Sequence, residues 1–349
     1  MLSNIEDVLW SITDICNLKC VYCSVSDTQI ENFQEPSDKE LDHILRELQT
    51  IPALKSLILS GGEALLSKNF SYILHNASKF CPNIFVITNG VKLTPEALNA
   101  IKFYRPTIMI TIDSTDESIN CKTRGNGVLG KSLSTLNILS SADIPVVVIL
   151  VVTKFNINNI LSDLNHYYST GVRNVLLQQL HCEGRANGGL FLELSPSPAQ
   201  IETLYYNIEE FTKLHVDMNI DDYEICFFPM RKEQYEKKCD TEVSYLPQRL
   251  LGCGAGFKFF AIKTNGDVIP CNALRSCILG NLHLNSLVEI FESSYELNNL
   301  KNINAKRVDS IDGCDTCKYA PVCDGGCRAD VLHLTGSIFG KHPYCNIKQ

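Results

Sequence analysis

The sequence predicts an α/β fold: a partial (β/α)6 TIM-like barrel followed by a small Cys-rich α+β domain. Three observations predict it. Buried, strand-like segments alternate with helical segments through the first two thirds of the chain. Polar or glycine-rich residues follow each of these segments, where the chemistry of parallel α/β folds is found. From about residue 240 the periodicity fades and cysteines become dense, which is typical of a small metal-stapled domain.

Six buried strands are predicted from apolar runs, and each is separated from the next by a helical pattern. The strands cover residues 8–13, 56–60, 84–88, 107–112, 146–152 and 172–177. Because crossovers between parallel strands are right-handed, the possible architectures are a full barrel, a partial barrel or an open doubly wound sheet. Roughly 200 residues are few for eight βα units, which favours the partial barrel.

Helix starts carry recognisable local signals. Ser37 and Glu40 form a capping-box pattern before an apolar stripe at helical spacing. Thr94 before Pro95 marks a second start, and Pro196-Ser197-Pro198 precedes a long amphipathic helix over residues 199–214. The predicted organisation is therefore a barrel domain at 1–215, a linker at 216–239 and a cysteine-rich domain at 240–349.

Charge and hydropathy exclude several classes of protein. The 31 Lys and Arg against 39 Asp and Glu give a net charge of −8, which argues against a general nucleic-acid binder. The first seven residues have no basic or apolar signal region. The longest apolar run, 144–152, contains Pro145 and is about half the length that crosses a bilayer. A cytoplasmic protein without membrane or nucleic-acid partners is expected. Its 16 cysteines are clustered, which in a reducing compartment favours metal over disulfides.

The first cysteine cluster is Cys16-x3-Cys20-x2-Cys23, directly after the first strand. A structural zinc site needs four ligands, and the nearest later histidine, His43, lies inside a predicted helix. Three thiolates on one loop can hold three irons of a [4Fe-4S] cluster and leave the fourth iron open to a small molecule. Core cysteines, or zinc with a remote fourth ligand, remain the alternatives at this point.

The segment Cys16-Asn17-Leu18-Lys19-Cys20-Val21-Tyr22-Cys23 resembles the signature of the radical S-adenosylmethionine (radical SAM) superfamily. The resemblance implies that SAM chelates the open iron through its amine and carboxylate. It also implies that an electron from the cluster cleaves the sulfonium, and that the resulting 5′-deoxyadenosyl radical abstracts a substrate hydrogen. Cys16, Cys20 and Cys23 would then be the catalytic cluster ligands, and Tyr22 would pack near the adenine.

Further residues of a SAM pocket are implied by the same resemblance. Ser60-Gly61-Gly62-Glu63 resembles the GGE motif, whose glycines admit a close backbone approach and whose carboxylate takes the substrate amine. Ala64 stands where the family usually has proline. The other implied pocket residues contact ribose and carboxylate in relatives or have less defined roles: Asp113, Ser114, Arg124 and Gln178.

The second cysteine cluster resembles the SPASM extension of this superfamily, which binds two auxiliary [4Fe-4S] clusters. All seven cysteines match its spacing: Cys253, Cys271, Cys314, Cys317, Cys323, Cys327 and Cys345. The family pattern implies one cluster on Cys314, Cys317, Cys323 and Cys345, and a second on Cys253, Cys271 and Cys327. With the SAM-binding cluster, three [4Fe-4S] clusters per chain are expected. A zinc ribbon, the alternative, fits seven ligands with this asymmetric spacing less well.

The cluster on Cys253, Cys271 and Cys327 is one ligand short. Many relatives supply a cysteine six residues before the first SPASM cysteine, where this chain has Pro247. The fourth ligand could come from Cys226, Cys239 or Cys277; otherwise one iron is open and could take a substrate thiolate.

The resemblance implies a radical SAM enzyme that oxidatively modifies a ribosomally synthesised peptide by a thioether or another crosslink. Asn272 stands where sulfatase maturases carry a catalytic Asp, and an amide cannot take the proton, which argues against that activity. Only 15 residues precede Cys16, so a separate protein or another surface is expected to recognise any leader peptide. An electron donor such as flavodoxin or ferredoxin is expected as a second partner.

Two other functions remain open from the sequence. One is a dehydrogenase or epimerase of a small molecule such as a sugar or aminoglycoside. The other, of a different class, is a non-catalytic electron carrier or scaffold that binds clusters. The intact Cys16, Cys20 and Cys23 with Gly62 and Glu63 argue against the carrier, because a carrier needs no SAM pocket.

Overall fold

The computed structural model describes residues 2–25, 35–221, 254–298, 311, 313–317, 325–342 and 345. Within those residues the strands join into one ten-stranded sheet. The strands are β1 Asp7–Ser11, β2 Ser56–Ser60, β3 Asn83–Thr88, β4 Thr107–Thr111, β5 Val146–Val152, β6 Asn174–Gln179, β7 Asn219–Asp221, β8 Phe259–Ile262, β9 Asp267–Ile269 and β10 Gly280–Asn281.

The described α-helices cover the crossovers between these strands and part of the C-terminal segment. They are α1 Asp38–Gln49, α2 Phe70–Ala77, α3 Pro95–Tyr104, α4 Glu117–Arg124, α5 Leu129–Ser141, α6 Ile160–Ser169, α7 Gly189–Leu194, α8 Pro198–Leu214, α9 Leu287–Ser293 and α10 Arg328–Thr335. In the described chain, none is long and apolar enough to span a membrane.

The sheet confirms the predicted α/β fold with parallel strands. Its order is β10-β9-β8-β1-β2-β3-β4-β5-β6-β7, and all neighbours from β8 to β7 are parallel. Only the two pairs that involve β9 are antiparallel among the described strands. All six predicted strands are present, with ends that differ by at most two residues. Helices cover the crossovers, so the central strands are hydrophobic along their length, as in β5.

Two strands of the parallel array were not among the six predicted ones. The three-residue β7 pairs with β6, and β8, from the predicted cysteine-rich region, pairs with β1 so that Phe259 stands opposite Asp7. The C-terminal segment therefore extends the barrel sheet on its β1 side. The predicted domain boundaries remain predictions, because residues 222–253 lie outside the described part of the chain.

Local signals place the helices as expected. The Ser37 side chain accepts a hydrogen bond from the Glu40 amide, and the Glu40 carboxylate accepts one from the Ser37 amide. Thr94 caps α3 through the amide of Ala97. The apolar stripe of α1 is buried: Leu41, Ile44, Leu45 and Leu48. At about 1.5–3 kcal/mol for each such side chain, this burial fixes α1 against the sheet.

The carboxyl ends of β1 to β6 meet at one edge of the sheet, because these strands are parallel. Five sets of polar residues are gathered there: the cysteine loop after β1, Gly61 to Glu63 after β2, Asn89 after β3, Asp113 after β4 and Gln179 to Glu183 at β6. The fold thus brings residues that are far apart in sequence to one edge.

Candidate active site

Three cysteines of the loop after β1 line one cavity of about 180 Å³ at this edge. The loop is fixed by backbone bonds from Val21 to the Thr123 carbonyl (2.9 Å) and from Cys23 to the Cys20 carbonyl (3.3 Å). Burial, the largest effect, raises the pKa of the Cys20 thiol to about 11, and charges on Cys16 and Cys23 add to it. Three thiols this close favour a bound cation, which stabilises their thiolate forms. The thiols therefore fit an iron-sulfur cluster.

Two glycines let the end of β2 approach the cysteine loop. Gly61 has φ +133°, and a Cβ there would stand 2.2 Å from the Thr13 carbonyl oxygen. A Cβ on Gly62 would stand 2.4 Å from the Ile15 oxygen. In their place, Gly62 N–H donates to Thr13 (2.7 Å) and Glu63 N–H donates to Ile15 (2.8 Å). The close approach that the glycines allow here is therefore to the chain's own cysteine loop.

Glu63 lines the cavity with a firmly oriented carboxylate. It is 2% exposed; one oxygen accepts from Leu65 N (3.1 Å) and Thr88 Oγ1 (2.7 Å), and the other from Asn89 N (2.7 Å). Burial raises the pKa of Glu63, while these bonds and Arg124 oppose that rise. A carboxylate held this way suits a cationic amine, because the ion pair would offset its desolvation.

A hydrogen-bonded group that includes Tyr22 forms another part of the wall. The Tyr22 hydroxyl donates to Asp113 Oδ2 (2.6 Å) and accepts from an Arg124 guanidinium nitrogen (3.0 Å). Burial and the Asp113 charge raise the pKa of Tyr22 well above its ordinary value, so it stays a phenol. The buried Nε of Arg124 has no partner among the described residues. This unmet cationic donor beside the thiols suits a carboxylate, and with Glu63 it makes the cavity fit an amino-acid group such as that of SAM.

The structure gives Asp113 and Ser114 positions that differ from the other predicted pocket residues. Neither lines the cavity, and both are fully buried. Asp113 accepts from Tyr22, Thr123 Oγ1 (2.6 Å) and Val151 N (3.3 Å), and Ser114 donates to Asp163 Oδ1 (3.1 Å). These bonds brace the wall from behind. The implied contacts of Asp113 and Ser114 with SAM stay a prediction, whereas Gln178 does line the cavity.

The segment after β6 closes over the cysteine loop, in a way that sequence reasoning did not specify. Arg185 donates from its guanidinium to the Cys20 carbonyl (3.1 Å) and from its amide to the Cys23 carbonyl (3.0 Å). Gly184 has φ +59°, and a Cβ there would stand 2.2 Å from the Cys23 oxygen. Gly184 and Arg185, beside the end of β6, were the available sequence signal. The cysteine loop that they contact lies about 160 residues earlier in the chain, so the sequence did not indicate the contact.

A buried carboxylate joins the C-terminal helix α10 to the end of β6. Asp330 accepts from Gln179 Nε2 (3.0 Å) and from Cys182 N (2.9 Å), and it lies 3.5 Å from Nδ1 of His181. His181 lines the cavity. Its ring also lies beside Cys327, the residue that precedes α10. His181 and Asp330 were not singled out from the sequence, because no local pattern pairs them.

The described SPASM-type cysteines lie in two places. Cys314, Cys317 and Cys345 are near one another, since the other two thiols, after burial, raise the pKa of Cys314. Cys271 and Cys327 both pack against the small apolar cluster of Ala273, Leu274 and Ala329. Within the described residues, no two cysteines form a disulfide. Cys226, Cys239, Pro247, Cys253 and Cys323 lie outside the described residues, so the ligand assignments stay predictions.

Comparison with known families identifies two regions of the chain. The model of the Radical SAM superfamily matches residues 10–166. The SPASM model, described as an iron-sulfur cluster-binding domain, matches residues 253–318. Both families are those that the cysteine spacings predicted.

Relatives with different names match most of the chain. The AdoMet-dependent heme synthase of Methanosarcina barkeri is 26% identical over 97% of this chain and 95% of its own length. The antilisterial bacteriocin subtilosin biosynthesis protein AlbA of Bacillus subtilis is 26% identical over 91% of this chain and 66% of its own. The crystal structure of Streptococcus suis SuiB bound to the precursor peptide SuiA has a TM-score of 0.81 at 15% identity, covering 99% of this chain and 76% of SuiB. The likeness to SuiB shows the fold.

Proposed function

Because this chain contains a radical SAM domain and a SPASM domain, and so is an enzyme, we propose that it oxidatively modifies a ribosomally synthesised peptide by forming a thioether or another crosslink. One observation carries the proposal. The cavity is lined both by Cys16, Cys20 and Cys23 and by His181, which lies beside Cys327. A substrate in the cavity would therefore lie near both the catalytic cysteines and Cys327.

The cavity residues divide into a cluster-binding set and a SAM-binding set. Cys16, Cys20 and Cys23, which line the cavity, would hold three irons of the first cluster. Glu63 would receive the amine of SAM on a carboxylate that three hydrogen bonds orient, and the unpaired Nε of Arg124 would be available to the SAM carboxylate. When bound, the cluster supplies the electron that converts SAM into a hydrogen-abstracting 5′-deoxyadenosyl radical.

The net reaction explains why a second redox group is needed. Joining a cysteine sulfur to a carbon removes the S–H and C–H hydrogens of the peptide. One hydrogen atom leaves to form 5′-deoxyadenosine, and the other leaves as a proton with one electron left over. Cys327, which lies beside His181 at the cavity, would help to hold the group that takes this electron. An open iron of that group could also bind the substrate thiolate.

Two relatives support a peptide substrate. AlbA is named for bacteriocin biosynthesis, and SuiB is solved with a precursor peptide. Any leader segment of the peptide would be recognised by a separate protein or by another surface of this chain. A flavodoxin or ferredoxin would supply the electron that reduces the first cluster.

Anaerobic reconstitution with three [4Fe-4S] clusters tests this function. The full chain, SAM, a reductant and a short cysteine-containing peptide encoded beside the gene are combined and followed by mass spectrometry. We expect the peptide to lose two hydrogens and to gain a crosslink, with 5′-deoxyadenosine formed in parallel. The matched Cys20→Ala variant should give neither product. An unmodified peptide in the presence of abundant 5′-deoxyadenosine would contradict the peptide substrate.

A second candidate function is oxidative modification of an iron porphyrin. It is favoured by the match to the M. barkeri heme synthase, which extends over nearly the full length of both proteins. The same reaction mixture with Fe-coproporphyrin III in place of the peptide tests it. A mass change of the porphyrin in this mixture, with no change of the peptide in the first mixture, would favour this candidate over the peptide.

A further inference from the structure

We propose that three exposed lysines at the cysteine loop, Lys19, Lys122 and Lys154, form a docking surface for an electron-donor protein with an acidic face, such as a flavodoxin. These three side chains are called the lysine surface below. The inference rests on the proposed function, in which such a donor reduces the first cluster. One electron would pass from the reduced flavin to that cluster, so that the flavin is oxidised and the cluster reduced by one electron.

The end of helix α4 is hydrogen-bonded to the cysteine loop. The Val21 N–H donates to the Thr123 carbonyl oxygen at 2.9 Å. Val21 directly follows Cys20, which lines the cavity and is a predicted cluster ligand. Lys122 directly precedes Thr123, and its side chain is exposed. The ammonium group of Lys122 is therefore carried by a segment in direct contact with the loop that would hold the cluster.

An aromatic ring places a second lysine beside the first. The Nζ atoms of Lys122 and Lys154 lie 5.4 and 5.8 Å from the centroid of the Phe155 ring, within the range of a cation–π contact. Phe155 and Val21 pack against the same apolar cluster. Lys19, on the cysteine loop itself, lies two residues before Val21 and is exposed. The three cations thus belong to segments that meet at the loop.

The charge of these segments is opposite to that of the whole chain. The chain has a net charge of −8, but residues 15–25, 120–128 and 153–162 contain lysine or arginine and neither Asp nor Glu. Within the described residues, no carboxylate forms an ion pair with any lysine of the lysine surface. The positive charge of this surface is therefore available to a partner.

Acids on the flanking helices do not cancel this charge. Asp116 and Glu117, at the start of α4, each accept a hydrogen bond from a backbone N–H. Glu193 of α7 is exposed and precedes Leu194, whose carbonyl oxygen accepts a hydrogen bond from the Lys154 amide at 2.8 Å. The three lysines outnumber this one exposed carboxylate, so the surface remains positive.

A transient electron donor fits such a surface better than a permanent subunit does. Electron-transfer complexes are weak and bury less than about 1,200 Å² in total, whereas permanent interfaces are larger and more apolar. Complementary charge accelerates the encounter and orients the partners. A few exposed cations beside the cluster loop meet this need. A substrate peptide rich in acidic residues would be attracted by the same charge, and the experiment separates the two.

Charge reversal on the reconstituted full chain tests the proposal. The Lys122→Glu/Lys154→Glu variant should raise the Kd for flavodoxin, measured by isothermal titration calorimetry at low salt, at least about tenfold. The KM for flavodoxin in 5′-deoxyadenosine formation without peptide should rise in parallel. With saturating dithionite as the electron source, the rate should equal that of the parent protein. Lys122→Arg/Lys154→Arg keeps the charge and should bind flavodoxin like the parent protein.

The matched control is Lys79→Glu/Lys102→Glu, which changes the net charge by the same amount. Both lysines are exposed and lie near the C-terminal ends of α2 and α3. Because each of these helices runs back from the end of one parallel strand to the start of the next, its C-terminal end lies away from the cysteine loop. The control should leave the Kd and the KM for flavodoxin unchanged.

The proposal is overturned if charge reversal at Lys122 and Lys154 leaves the Kd for flavodoxin unchanged, or if the control weakens binding equally. It is also overturned if the dithionite-driven rate falls as much as the flavodoxin-driven rate, because the loop itself is then disturbed. A higher KM for the peptide with an unchanged KM for flavodoxin would assign the surface to an acidic peptide instead. The Kd requires no peptide, so an unmodified peptide with charge-dependent flavodoxin binding would refute only the proposed function.

Discussion

Gly62→Ala is a single-methyl test of the contact between β2 and the cysteine loop. The added Cβ would stand 2.4 Å from the Ile15 oxygen and 2.7 Å from the Asp14 oxygen. Ordinary contact begins at 3.4 Å, so the backbones must separate by about 3.4 − 2.4 = 1.0 Å. Both obstacles are main-chain atoms and cannot rotate away. The displaced residue, Ile15, directly precedes Cys16.

The magnitude follows from what this displacement breaks. The backbone bonds from Gly62 to Thr13 (2.7 Å) and from Glu63 to Ile15 (2.8 Å) span the contact. At about 1 kcal/mol each, their loss destabilises the loop by roughly 2 kcal/mol. A misplacement of about 1 Å near reacting groups can slow a reaction by about 100-fold. We therefore expect 5′-deoxyadenosine formation to fall roughly 100-fold, with reduced iron content.

The assay is the anaerobic rate of 5′-deoxyadenosine formation, together with iron per chain. Gly130→Ala is the matched control, because Gly130 lies in α5 and a Cβ there meets no atom within 4 Å. It should behave like the parent protein. A Gly62→Ala variant with parental iron content and rate would refute the steric reasoning.

Three further predictions concern individual side chains. Glu63→Gln turns an amide N–H toward existing donors and should weaken SAM binding at least about tenfold, measured by equilibrium dialysis. The SAM affinity of the parent protein should fall as pH drops through the raised pKa of Glu63, because the carboxylate is then protonated. An affinity that does not change with pH would argue against the ion pair. Tyr22→Phe removes the bonds to Asp113 and Arg124 and should lower stability by about 1–2 kcal/mol, seen as a lower Tm; an unchanged Tm would contradict the bracing role. The pKa of Cys277 is about 11, against an ordinary thiol value of 9.0. Cys277 should therefore be alkylated about 100-fold more slowly at pH 8 than an ordinary thiol, and its alkylation rate should increase as pH rises. Complete protection from alkylation at every pH would instead identify Cys277 as a cluster ligand.

Local patterns were sufficient for most of the secondary structure. The bounds of β2 and β5 agree with the prediction, because a buried parallel strand is a continuous apolar run with clear ends. The capping box at Ser37 is equally local. The short β7 escaped prediction, because three residues carry no period. The pairing of β8 with β1 joins residues about 250 positions apart, which no local window can show.

The sequence by itself determined the cofactor class, because cysteine spacing sets which thiolates can share a cluster, as in Cys16, Cys20 and Cys23. Through the resemblance to SPASM proteins, it also predicts that one auxiliary cluster lacks a thiolate at Pro247. Only the tertiary structure decided that Asp113 braces Tyr22 from behind and that His181 meets Cys327 beside the cavity. The physical reason is that such contacts depend on packing between distant elements, here α10 held against β6 by the buried Asp330, and that packing leaves no periodic trace in the sequence.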